Sequence, residues 1–157
     1  MLKRNNIFMA ATFFMLAIFV TPAFAIYETT IPFKGELEKA ARGSTVEVAE
    51  YVDEAVMYPG AAKLIITAKG LEPNAVYTAW LAKDVAAGDL KGLGIENHSF
   101  TTDSNGTGRF ISTVPEYELR DWSILKIAHH PDGNPENVEG AEVVLTADLE
   151  RATQVTR

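Results

Sequence analysis

The sequence contains no cysteine. Disulfides, thiolate nucleophiles, iron–sulfur clusters, zinc ribbons and blue-copper centres with a Cys ligand are therefore excluded. Basic runs are missing too: 14 Lys and Arg stand against 21 Asp and Glu, a formal net charge of −7. Phosphate backbones and anionic lipid surfaces repel such a chain, which argues against a nucleic-acid partner. There is no Gly-x-Ser-x-Gly, no His-Glu-x-x-His and no phosphate-cradling glycine loop, and no repeat at solenoid period. Nor is there a long amphipathic helical pattern.

What is present begins with a leader. Lys3 and Arg4 form a basic start, Ile7 to Val20 is apolar with four Phe and no charge, and Thr21-Pro22-Ala23-Phe24-Ala25 supplies a Pro break and an Ala-x-Ala signature. Together they predict a secretory signal peptide over residues 1–25, cleaved after Ala25, and an exported protein, periplasmic or extracellular. The apolar run is short for a span of about 20 residues, so no membrane span is expected after cleavage. Loss of Lys3 and Arg4 takes the net charge from −7 to −7 − 2 = −9. Residues 26–157 are the length of one ordinary domain, able to bury roughly two thirds of its unfolded surface.

Alternation dominates that domain. Residues 26–43 read as an N-terminal arm or edge strand with a short helical turn, because Pro32 cannot donate to a ladder and Glu36 to Arg42 is barely two turns. Strands are predicted at 44–52, 61–69, 75–81, 98–102, 107–114, 122–130 and 141–149. Gly70 to Asn74 is a turn that makes 61–81 a strand–turn–strand unit, and Asp103-Ser104-Asn105-Gly106 makes 98–114 the clearest hairpin. Lys83 to Asn97 reads as a long connection with a helical turn near Val85 to Gly88. Pro115 to Asp121 and Pro131 to Gly140 read as loops, and 151–157 as a frayed tail. The expectation is an all-β domain over 44–150, a two-sheet antiparallel β-sandwich of about seven strands, immunoglobulin-like or Greek-key, with Trp80 and Leu81 filling the space between the sheets.

Three segments carry a resemblance: Gly70-Leu71-Glu72-Pro73-Asn74-Ala75-Val76-Tyr77-Thr78-Ala79-Trp80-Leu81, Phe100-Thr101-Thr102-Asp103-Ser104-Asn105-Gly106-Thr107-Gly108, and Ile127-Ala128-His129-His130-Pro131-Asp132-Gly133-Asn134-Pro135. Over residues 61–149 the chain resembles a group of small exported bacterial β-sandwich proteins to which no activity attaches. The first segment is also similar to immunoglobulin-like domains and, more distantly, to copper–zinc superoxide dismutase and chordin-type repeats. The dismutase pattern places a His-x-His pair on that strand. Here Tyr77, Ala79 and Trp80 stand there instead, and dismutase activity is not implied.

Four sets of side chains are candidates for function. His98, His129 and His130, with Asp132 or Met57, have the donor types to hold Cu or Zn, although adjacent strand residues such as His129 and His130 point to opposite faces. Tyr77, Trp80 and Trp122, with Tyr51, Tyr58 and Phe100, would make a ligand or partner platform, or else pack in the core. Ile26, Tyr27, Ile31 and Phe33 would let the arm add to a neighbour's sheet edge in self-association or partner binding. Glu47, Glu50, Asp53 and Glu54 offer paired carboxylates at a spacing that selects no catalytic pair. Asp132 to Asn137 and Asp103 to Thr107 have oxygens at alternate positions, but Asx turns explain both without Ca²⁺. The best-supported expectation is an exported, non-enzymatic binding or assembly module, with a Cu- or Zn-binding protein as the alternative.

Overall fold

The computed structural model describes residues 28–35, 38–51, 61–86, 88–94 and 97–150, and residues 1–25, Ile26, Tyr27, Met57 and residues 151–157 lie outside them. Two antiparallel sheets pack face to face. Sheet A runs in the order β1 (Glu28–Pro32), β2 (Thr45–Tyr51), β3 (Ala61–Ala68), β7 (Gly108–Pro115). Sheet B centres on β4 (Val76–Ala82), flanked along its length by β8 (Ile124–His130) and then β9 (Glu142–Asp148). The other edge of β4 is shared end to end by β5 (Leu90–Gly92) and β6 (Ser99–Thr101). The all-β sandwich read from the alternation is what the chain forms. Besides the seven expected strands there are β1 and the three-residue β5.

The period-two pattern sets the core. On β3, Ala62, Leu64, Ile66 and Ala68 are buried while Lys63, Ile65 and Thr67 are half-exposed. Val46 and Val48 on β2, Tyr77, Ala79 and Leu81 on β4, Leu125 and Ile127 on β8, and Leu145 and Ala147 on β9 face them across the gap. Burying a side chain of this size contributes roughly 1.5–3 kcal/mol. Four rings, His129, Tyr77, Phe100 and Phe110, stack in sequence from β8 to β7, with centroids 4.9, 5.7 and 6.0 Å apart.

Two reversals, the second of them expected as a hairpin, are sheet crossings. Gly70 and Asn74 do take positive φ (71° and 55°), and the turn forms, but it carries the chain from sheet A (β3) to sheet B (β4). The Asn105-Gly106 turn forms too, closed by Asp103 N–H donating to Thr107 O at 2.8 Å, yet it carries the chain from β6 in sheet B to β7 in sheet A. The reason is that the two turns bond to each other. Leu71 N–H donates to Gly106 O, Asn74 N–H to Asp103 O, and Thr102 Oγ1 donates to Glu72 O at 2.6 Å while accepting from Ala75 N–H. Together they form one corner.

Other expectations shift in detail. Residues 83–86 bend without a helical turn, and β5 replaces part of the expected long connection because Leu93, fully buried, anchors it to the core. Pro115–Asp121 is not a loop throughout: Glu116–Asp121 is a short helix, α2, fixed by buried Leu119 and by the 2.7 Å pair of Glu118 with Lys91. The short helix expected near 36–42 is α1 (Glu38–Gly43). The arm is an edge strand of its own sheet: β1 pairs with β2 from Glu28↔Ala49 to Pro32↔Thr45, and Ile31 and Phe33 are core residues, 5% and 3% exposed. Lys34 then exchanges two 2.7 Å backbone bonds with Thr146, joining the open side of β1 to β9 and so one sheet to the other. Trp80 does not fill the space between the sheets. It has the opposite parity to Leu81, and only Leu81 belongs to the core.

Candidate functional site

Part of the outer face of sheet B, on β4 and β8, is also closed to solvent. Thr78 and Ala82 on β4 and Ile124, Lys126, Ala128 and His130 on β8 are all buried. The pairing Thr78↔Ala128 and Trp80↔Lys126 puts these residues, with Trp80, on one face. A strand covered on both sides was expected here. A buried lysine and a buried histidine on that second face were not.

Three of these side chains are linked. Trp80 Nε1 donates to Thr78 Oγ1 at 2.7 Å, and Thr78 Oγ1 lies 2.8 Å from His130 Nε2. An indole N–H only donates, and a hydroxyl has one hydrogen to give. If Thr78 gives it to Nε2, every polar atom but one is satisfied. If Nε2 carries the proton instead, the Thr78 hydrogen and His130 Nδ1 are both left over. We assign the first arrangement, with the proton on Nδ1. His130 Nδ1 is buried and has no hydrogen-bond partner among the described residues. A buried donor left unpaired costs about 1–3 kcal/mol, so its presence calls for a physical account.

His98 completes the patch. Its ring meets Trp80 edge-on, centroids 4.3 Å apart, and lies over Gly92, where a side chain would strike it. Burial is the main reason the His98 pKa lies below its ordinary value.

The three histidines do not converge. His129 is on the inner face of β8, its ring stacked on Tyr77 and Nε2 3.5 Å from Glu72 Oε2. Backbone alternation separates it from His130, as expected for neighbours on a strand. Asp132 is engaged elsewhere: Oδ1 accepts from Asn134 N–H at 3.0 Å and Oδ2 from Asn137 Nδ2 at 2.7 Å. Those bonds, the Asn137 amide first, hold its carboxyl below the usual carboxylate range. Asp103 is held down in the same way, by Thr107 N–H and then Asn105 N–H. Both are Asx turns. Among the described residues no group of three or more His, Cys, Asp or Glu is arranged to hold a metal ion.

The aromatic trio does not form a shared platform either. Tyr77 is 1% exposed, its hydroxyl accepting Glu72 N–H at 2.9 Å, so it presents no ring face to a ligand. Trp122 packs against the core with the Lys83 ammonium 5.2 Å from its ring centroid. Only Trp80 is both aromatic and on the outer face. Of the candidate carboxylates, Glu47 stands on β2 opposite Thr30 and Ile65, while Asp53, Glu54 and the Glu50 side chain lie outside the described residues. Thr78, Lys126 and Glu72 carry site geometry that sequence reasoning passed over. Thr78 shares parity with Trp80, which is the one hint the sequence held.

Compared with known proteins, the chain matches no protein-family model and no curated protein. Among the described residues no helix is long and apolar enough to cross a membrane.

Proposed function

We propose that this is an exported, non-enzymatic module of immunoglobulin-like topology that self-associates through the edge of β7 that pairs with no described strand. The leader features at residues 1–25 support export. The strand order supports the topology. With β2, β3 and β7 as strands A, B and E, and β4, β8 and β9 as C, F and G, sheet A reads A-B-E with β1 added outside A. Sheet B reads C-F-G, with β5 and β6 in the C′ place. The place beside E, which strand D fills in a constant-type immunoglobulin domain, holds no strand among those described.

That vacancy is the observation on which the reading rests. β7 is eight residues long, pairs only with β3, and none of its outward backbone groups bonds to another described residue. Natural edges are guarded by lysines, prolines, bulges or brevity. Along β7 only Arg109 is charged, Pro115 comes last, and Ile111 is 43% exposed opposite Ile65. Ile111 sits near the middle of the strand. A two-fold, antiparallel β7–β7 pairing therefore brings the two Ile111 side chains together and continues sheet A across both copies. The occupant is a second copy of this chain, and the N-terminal arm is not the donor, since Ile31 and Phe33 are needed in the core.

Light scattering of the purified protein over a concentration series tests this. Wild type is expected to form dimers that Ile111→Lys dissolves, with the variant's stability within about 0.5 kcal/mol of wild type. A wild-type monomer at every concentration, or a dimer indifferent to Ile111→Lys, would remove the reading.

A further inference from the structure

The corner that joins the two sheets contains a chemically reactive bond, an observation independent of the β7 edge. Asn105-Gly106 is the one Asn-Gly pair in the chain. In such a pair the glycine nitrogen can attack the asparagine side-chain carbonyl, because the glycine has no side chain to stand in the way. The new bond joins Gly106 N to Asn105 Cγ, the Cγ–Nδ2 bond breaks, and Nδ2 leaves as ammonia with the proton from Gly106 N. Water then opens the cyclic imide at either carbonyl, which leaves aspartate or its isomer linked to Gly106 through the side-chain carbon. Both products carry a new negative charge, and the isomer lengthens the main chain by one methylene.

We propose that Asn105 is a deamidation site held shut by the corner: it reacts in molecules whose corner has opened, and its isoaspartyl product bars the corner from closing again. Asn105 is exposed, so water and base reach it and the protection comes from the backbone. Three observations supply it. First, the nucleophile is engaged, since Gly106 N–H donates to Asp103 O at 3.0 Å. Turning the Asn105–Gly106 peptide over to free that nitrogen would point the Asn105 carbonyl oxygen at the same acceptor. Second, Gly106 cannot move instead. It is buried, its own carbonyl accepts Leu71 N–H, and a Cβ on it would collide with Leu71 O. Third, Asp103 Oδ1 pins both sides of the pair, accepting Asn105 N–H at 2.8 Å and Thr107 N–H at 2.9 Å. An extra methylene between positions 105 and 106 shifts Gly106 relative to both Asp103 and Leu71, so these bonds cannot all form again.

Peptide mass mapping of the purified protein, held at mildly alkaline pH with and without denaturing urea, is the test. Asn105 is expected to deamidate about tenfold or more slowly in the folded chain, because opening breaks at least the Gly106 and Leu71 bonds. Over a series of sub-denaturing urea concentrations the rate should follow hydrogen exchange of Gly106 N–H, measured by NMR, since both need the same N–H released. Asp103→Ala, at an exposed side chain, should narrow the gap between folded and unfolded rates several-fold. The separated isoaspartyl product should exchange fast at Leu71 N–H and Asn74 N–H, which are protected in the unmodified chain. Equal rates with and without denaturing urea would overturn the proposal. So would deamidation that ignores Gly106 exchange, a folded Asp103→Ala that reacts more slowly than wild type, or an isoaspartyl product whose Leu71 and Asn74 amides stay protected.

Discussion

Gly106→Ala and Gly133→Ala form a matched pair of perturbations. Both glycines have φ of +72°, so an alanine at either position pays the same left-handed penalty, about 1–2 kcal/mol. Their surroundings differ. A Cβ at Gly133 meets nothing within 4 Å, whereas one at Gly106 runs into the carbonyl oxygen of Leu71, a backbone atom that no rotamer change can move. Relief requires the two turns to part, which breaks Leu71 N–H to Gly106 O and strains Asn74 N–H to Asp103 O. At about 1 kcal/mol for each such bond, Gly106→Ala should cost about 3–4 kcal/mol against about 1–2 for Gly133→Ala. Equilibrium urea unfolding followed by tryptophan fluorescence measures both, and for a domain of this size each kcal/mol corresponds to about 4 °C in Tm. An asparagine sharpens the comparison. It tolerates left-handed φ but still carries a Cβ, so Gly133→Asn should be nearly neutral while Gly106→Asn should still cost about 2 kcal/mol. Equal losses at the two positions, within about 0.5 kcal/mol, would refute the stitched corner.

Tyr77→Phe removes the hydroxyl that accepts Glu72 N–H and should cost about 1 kcal/mol in the same assay while leaving the four-ring stack in place. Leu81→Ala, at a fully buried position between the sheets, should cost about 2–5 kcal/mol, and Val85→Ala, at an exposed one, less than about 0.5. Stability should fall with acid in two stages, read as Tm against pH. His98 has a lowered folded pKa, so the unfolded chain takes up its proton first and stability declines as pH drops below about 6.5. Asp103 and Asp132 also have lowered folded values, so their contribution is present above about 3.8 and is lost as pH falls through the folded values. His98→Gln should remove the upper stage alone.

The sequence made the strands legible because each buried face needs apolar residues at every second position, and Leu64-Ile65-Ile66 or Val143 to Leu149 satisfy little else. Destination was not legible. Asn105-Gly106 announces a reversal, but whether the returning strand joins the same ladder depends on Leu71 and Glu72, thirty residues earlier and visible only in three dimensions. β5 and α2 escaped because three and six residues are too few for a period to declare itself, and contacts through Leu93 and Leu119 decide their conformation. At the candidate site, opposite faces for His129 and His130 followed from strand geometry alone. The partnership of Thr78 with His130 did not, since it needs the register Thr78↔Ala128, which no single sequence reveals.

The pair of backbone hydrogen bonds between Lys34 and Thr146 has a consequence for the timing of assembly. It ties two residues 112 positions apart, so the seam between the two layers stays open until Thr146 has been made. Contacts of such long range are slow to form, because the loop they close must be ordered before they repay it. A chain built this way leaves its two layers unlatched during synthesis and closes them only when β9 arrives.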